Sequence, residues 1–319
     1  MALDINSAID AYLQWAAAVH LVNGQSTKTY RAQLRAVFAN TLETPTASLT
    51  IERFARVAED FRSRPTTRGR PYADPTILAM LRTTRVFCRW AHTHGHIKAD
   101  PMREVPTIPN SERTRMDVVD GADMLTITAQ ADPLSDTDAR DRAAAWTLWT
   151  TGVRVGELTR LLLRDFEWTI PHTDAAILVR RPEKHGIMRV VEVYDTAAAT
   201  LNTYLTYHRP VLLGQARDPG HLFLSDRAGP LTTAPLSAKI ARWAEAAGIP
   251  FRTTAHTMRH SAATLRAEAG ADVEDLRRYM GWRTLQIALS YIHRTPRHAL
   301  QRISQHRPPI RALAVEDRA

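Results

Sequence analysis

The stretch Thr151-Gly152-Val153-Arg154-Val155-Gly156-Glu157-Leu158 decides how the second half of this chain is read. Gly152 breaks one helical pattern and Val155 opens another, which puts Arg154 in the first turn of a helix predicted over 155–163. A guanidinium beside a helix N-terminus makes an oxyanion site, because a planar two-point donor adds to the helix dipole. Glu157, three residues on, shares that face and is placed to hold the guanidinium; an ordinary surface ion pair has the same spacing. A second cluster, His256-Thr257-Met258-Arg259-His260, puts three cationic or polar side chains on one helical face. The two histidines invite a zinc reading, but no Glu follows the first, and Arg259 between them repels a divalent ion. Donors to an anion suit His256 and Arg259 better, while His260 also fits a buried structural histidine. No metal site is expected here, nor at His92, His94 and His96, which read as a helix end.

Around these clusters the pattern is mixed. Helices are predicted from Asp141 to about Thr150, then over 195–208, 235–247, 257–268, 273–280 and 284–293. Ala176–Arg180 and Arg189–Val193 read as two strands around the polar turn 182–186. Up to Glu104 four helices are expected. Ser7 is read as the cap of the first, with Ile9, Leu13, Ala16 and Ala17 on its stripe, and Ser26 as the start of the second, which buries Leu34, Val37 and Phe38. Ile51, Phe54, Val57, Ala58 and Phe61 mark the third. Asp74-Pro75 opens the fourth, which carries Leu78, Leu81, Phe87 and Trp90 and ends near Gly95. Met102 to Thr114, with Pro106 and Pro109, lacks a period and reads as a linker. The expected class is mainly α with a small antiparallel sheet, in domains over 1–105 and 116–310 joined by a linker over 106–115, with a frayed tail at 311–319.

Charge narrows the partner. The 319 residues carry a net charge of +9, and thirty-eight of the forty-two Lys and Arg side chains are arginine. Such a balance points to a polyanion, DNA or RNA first, although an Arg-rich codon usage gives the same count. Arg62, Arg64, Arg68 and Arg70 form a short basic loop, either solvated surface or a set of phosphate contacts. The lone Cys88 excludes a disulfide framework and reads as a core residue. No apolar run reaches the roughly 18 residues of a membrane span, and no signal peptide opens the chain. A cytoplasmic, nucleoid-associated protein is the expectation.

Taken in order, the motifs resemble the tyrosine recombinase family, the phage integrase and Xer type. Thr151–Leu158 is similar to its first arginine box, and 256–260 matches its His-x-x-Arg-His box. Met280-Gly281-Trp282 stands where the family often has Leu-Gly-His, and Tyr291 follows nine residues on, at the spacing of the nucleophile. Lys184, one of only four lysines, falls in the strand turn where the family carries a catalytic lysine; His185 beside it is an alternative. The N-terminal half resembles the family's core-binding (SAM-like) domain.

The resemblance implies a site-specific recombinase forming a two-domain C-shaped clamp on duplex DNA. Tyr291 would attack a phosphodiester to give a 3′-phosphotyrosyl link and free a 5′-hydroxyl. Arg154 and Arg259 would hold the phosphate oxygens, His256 and Trp282 would add hydrogen bonds, and Lys184 would protonate the leaving oxygen. Glu157 and His260 would support them. Strand exchange would pass through a Holliday junction for integration, excision or dimer resolution, in a homotetramer or a heterotetramer with a paralogue. No cofactor is implied, since the bond energy stays in the phosphotyrosine. A relaxing enzyme of the type IB topoisomerase kind shares this chemistry, and a DNA-binding protein without cleavage would share the fold. The two-domain pattern disfavours the first, and the intact set of Arg154, Lys184, His256, Arg259 and Tyr291 argues against the second.

Overall fold

The computed structural model describes residues 3–19, 21–22, 24–52, 63–66, 69–105, 117–172, 174–179 and 189–292. The chain divides into two compact units, Met1–Arg113 and Thr114–Ala319.

The first unit packs α1 (Ile5–Ala18), α2 (Gly24–Val37) and α3 (Asp74–Thr93) around one core. Asp4, not Ser7, caps α1: its carboxylate accepts from the Ser7 N–H at 2.7 Å and from the Ser7 hydroxyl. The buried stripe is Ile5, Ala8, Ile9, Tyr12, Leu13 and Ala16, with Ala17 exposed. Capping three residues earlier keeps Ile9, Leu13 and Ala16 on the stripe and extends it to Ile5, Ala8 and Tyr12, a ring large enough to meet Phe87 and Trp90. Likewise α2 starts at Gly24, so Ser26 lies inside it. Leu34 and Phe38 are buried as expected, and Val37 is half-buried. In α3, Ala73 is the cap and Pro75 sits in the first turn. Ile77, Met80, Leu81, Phe87 and Trp90 enter the core, while Leu78 is half-buried. Cys88 is fully buried there, and burial pushes its thiol up. His94 and His96 pack on the Trp90 ring at 5.0 Å as α3 ends, the structural role expected of that histidine group. The third predicted helix falls almost wholly outside the described residues.

The second unit is mainly helical with a small sheet. Its helices are α4 (Gly121–Thr128), α5 (Asp136–Thr151), α6 (Val155–Leu158), α7 (Asp195–Thr203), α8 (Arg209–Leu213), α9 (Thr233–Ala246), α10 (Ala255–Glu268), α11 (Val273–Met280) and α12 (Leu285–Ile292). A π-helical segment, Tyr204–His208, joins α7 to α8. The sheet is antiparallel in the order β1 (Phe166–Ile170), β2 (Asp174–Val179), β3 (Arg189–Val193). Ala175 pairs with Val193, Ile177 with Val191 and Val179 with Arg189, so the inward-facing residues of β3 are Val193, Val191 and Arg189. An arginine thus occupies a core-facing register position.

Among the described residues, helices α4 and α8 and strand β1 go beyond the sequence expectation. Two others change length. Ser135 caps α5 five residues earlier than expected, and α6 is a single turn rather than a helix running to Leu163. Central α5 is buried on nearly every side, its Trp146 and Leu148 sharing one core with Ile177, Leu201 and Met258. Among the described residues no helix is long and apolar enough to cross a membrane.

Candidate active site

Gly152 ends α5 in the left-handed region at φ 65°, and its position is crowded: an added Cβ would lie 2.8 Å from Met280 Cε and 3.2 Å from Ala262 Cβ. The turn it allows sends the chain into Arg154, the N-cap of α6. Arg154 therefore precedes the helix, and a one-turn helix adds little dipole, so the anion-binding capacity here belongs to the guanidinium itself. Its backbone N–H donates to Glu157 Oε2 at 2.8 Å and its Nη1 to Oε1 at 3.1 Å. The side chain stays 44% exposed.

Glu157 is buried and held mainly from the sheet. Arg189 donates Nη2 to Oε2 at 2.8 Å and Nη1 to Oε1 at 3.2 Å, a two-point pair between buried side chains. Burial alone would raise the Glu157 carboxyl. The Arg189 hydrogen bonds and charge, with the Arg154 contacts, bring it down to about 2. Arg189 is not among the site residues expected from the motifs. Its signal was a charged residue at an inward position of a short apolar strand.

Arg259 lies 6% exposed on α10. It donates to the Gly152 carbonyl and, from Nη2, to the Met280 carbonyl at 2.7 Å, which ties the ends of α5 and α11 together. Its guanidinium stands 5.9 Å over the Trp282 ring. Burial first, then the Arg154 charge, lowers it to about 9, while Glu157 pulls the other way. Two cations thus face one space, and an anion between them relieves their repulsion. That space is a cleft of about 800 Å³ whose lining includes Arg154, Arg160, His256, Arg259, Trp282 and Arg283. Arg160 and Arg283 were not among the expected site residues; each lies within a few positions of a recognised box.

The histidine box separates in the structure. His256, in the first turn of α10, is exposed toward the cleft, whereas His260, one turn later, is buried. His260 Nδ1 lies 2.8 Å from the Tyr291 hydroxyl. The Tyr291 ring stacks on Trp282 with centroids 4.9 Å apart and planes 19° apart. Gly281, left-handed at φ 63°, ends α11 and lets Trp282 turn back beneath α12. The neighbouring Tyr279 is differently employed: Arg266 donates to its hydroxyl at 3.0 Å and stacks on its ring, and burial raises its phenol.

The structure therefore brings together Arg154, Glu157, His256, Arg259, His260, Trp282 and Tyr291. Lys184 and His185, and Arg62 and Arg68 of the basic loop, lie outside the described residues. In that loop Arg64 is half-buried and donates to the Ala36 carbonyl at 3.2 Å, and Arg70 is exposed. Among the described residues no group of three or more His, Cys, Asp or Glu could hold a metal ion.

Residues 117–298 match the model of the phage integrase family. Tyrosine recombinase XerC 2 of Ralstonia nicotianae is 31% identical over 221 residues, which cover 69% of this chain and 61% of that relative, under two thirds of its length. Tyrosine recombinase XerD of Mycobacterium tuberculosis (strain H37Rv) is 31% identical over 218 residues, 67% of this chain and 68% of the relative. Among solved structures, a lambda integrase tetramer bound to a Holliday junction superposes with a TM-score of 0.68 at 18% identity, covering 91% of this chain and 77% of that one.

Proposed function

Because the chain belongs to the phage integrase family of tyrosine recombinases, enzymes that cut and rejoin DNA strands, we propose that it is a site-specific recombinase acting on duplex DNA through a 3′-phosphotyrosyl intermediate. The observation that carries the reading is one cleft with Arg154, Arg259 and His256 in its lining and Tyr291 stacked on Trp282 beside it. Charge that builds on the non-bridging oxygens in the transition state falls between two guanidiniums already fixed by their own hydrogen bonds, so little reorganisation is needed. Glu157 and Arg189 position Arg154. Trp282 orients the Tyr291 ring and donates a hydrogen bond, and Lys184 supplies the proton for the 5′-oxygen. The two-step exchange conserves the bond energy, so ligation needs no nucleotide.

Strand exchange runs through a Holliday junction in a tetramer of this chain, or of this chain with a paralogue, on two DNA sites. The lambda integrase tetramer on a Holliday junction, of like fold, supports that assembly. The first unit acts as the core-binding domain, with the 62–70 arginines near the phosphate backbone, and the protein works in the cytoplasm at the nucleoid.

The test is capture followed by exchange. The purified chain is incubated with sheared DNA from around its coding region, quenched in detergent, and the covalently held fragments are sequenced. Plasmids bearing one or two captured sites are then compared. Deletion or inversion that requires two sites is expected. Relaxation of the one-site plasmid without recombination on the two-site plasmid contradicts the proposal.

A further inference from the structure

We propose that His260 is the base for Tyr291: its Nδ1 takes the phenol proton as the tyrosine oxygen attacks phosphorus. This rests on the reading of Tyr291 as nucleophile. The hydroxyl and Nδ1 are 2.8 Å apart, within direct proton-transfer range. The bond is not an accident of a mobile side chain. The Tyr291 ring packs on the His260 ring at 4.9 Å and lies flat on Trp282, so both partners of the hydrogen bond are fixed by their faces. His260 is 7% exposed, which sets its ring apart from the solvent-facing His256 four residues earlier. One histidine therefore faces the cleft where the phosphate is held, and the other faces the nucleophile.

With the hydroxyl donating, Nδ1 is the acceptor and the ring's own proton sits on Nε2. In cleavage the Oη–P bond forms, the P–O5′ bond breaks, and the phenol proton moves to Nδ1. The 5′-oxygen leaves with a proton from the acid assigned above to Lys184. In rejoining, the 5′-hydroxyl gives its proton back to the group that supplied it and attacks the phosphotyrosine, the P–O5′ bond forms, the Oη–P bond breaks, and Nδ1 returns its proton to the phenol. The same nitrogen thus serves both directions, as a reversible exchange requires.

The test compares His260→Asn with the wild-type chain on a nicked suicide duplex carrying the captured sequence. An asparagine amide keeps a polar partner for the phenol and cannot take its proton. Covalent adduct formation is expected to slow about a hundredfold or more while duplex binding stays within about twofold. Replacing Tyr291 by a fluorotyrosine, whose phenol is more acidic, is then expected to recover about tenfold in the Asn variant and far less in the wild type. A purely structural histidine would give the same loss with either phenol, and that result overturns the proposal, as does an Asn variant of unchanged rate. Should His260→Asn lose its cooperative melting transition, His260→Gln is read by the same criteria. A wild-type chain that forms no adduct overturns the recombinase reading and this inference together. Wild-type adduct with indifference to His260 overturns the inference alone.

Discussion

Glu157 organises the arginines of the site, and its behaviour is open to direct measurement. Its folded pKa of about 2 lies below its ordinary 4.5, so the ionised carboxylate contributes stability that is fully present above the ordinary value. That contribution is lost as pH falls through the folded value. The urea-unfolding gap between wild type and Glu157→Gln is therefore expected to hold steady above about pH 5 and to shrink progressively as pH falls toward 2. A gap that stays flat through this window contradicts the pairing. Arg189→Ala leaves the same carboxylate buried without its main partner and is expected to cost about 3–5 kcal/mol in urea unfolding. A loss under 1 kcal/mol, on the order of an exposed pair, would mean that Glu157 is hydrated instead.

At the scale of elements, the site depends on turns that end helices. Gly152 needs both its left-handed backbone and its missing Cβ, because Met280 and Ala262 occupy the space. Gly152→Ala is expected to cost at least about 1 kcal/mol in thermal unfolding and to reduce cleavage, since its carbonyl anchors Arg259. An unchanged melting temperature contradicts this. The boxes around these turns were legible because glycine breaks and cationic spacings survive in the bare sequence. So were β2, β3 and α9 to α12, whose periods are regular. What escaped did so for physical reasons. Strand β1 does alternate Phe166, Trp168 and Ile170 with Glu167 and Thr169, but over only five residues, too short a run to stand out so soon after the apolar stretch 161–163. The start of α5 is polar yet buried, because Asp138 pairs with Lys239 at 2.6 Å and Asp141 with Arg140 at 2.8 Å, and charge there masks burial. Arg189 escaped for the same reason: its partner Glu157 is thirty-two positions away, beyond any local pattern.

For the whole molecule, the surplus of nine positive charges supplies general attraction to DNA rather than recognition. Duplex affinity is expected to fall at least about tenfold between 50 and 200 mM salt, and Arg154→Ala to change that slope by about one contact or less while greatly slowing cleavage. Salt-insensitive binding contradicts a phosphate-tracking surface. The claim on which the rest depends is that a covalent bond to DNA forms at one tyrosine. Tyr279 is engaged by Arg266 within the fold, whereas Tyr291 meets His260 and Trp282 beside the cationic cleft. Trapping the adduct on a nicked duplex of the captured sequence, digesting it and locating the phosphotyrosyl peptide by mass tests this directly. The phosphate is expected on Tyr291, with Tyr291→Phe binding DNA normally and forming no adduct; an adduct on another residue, or one that persists in the Phe variant, would contradict this.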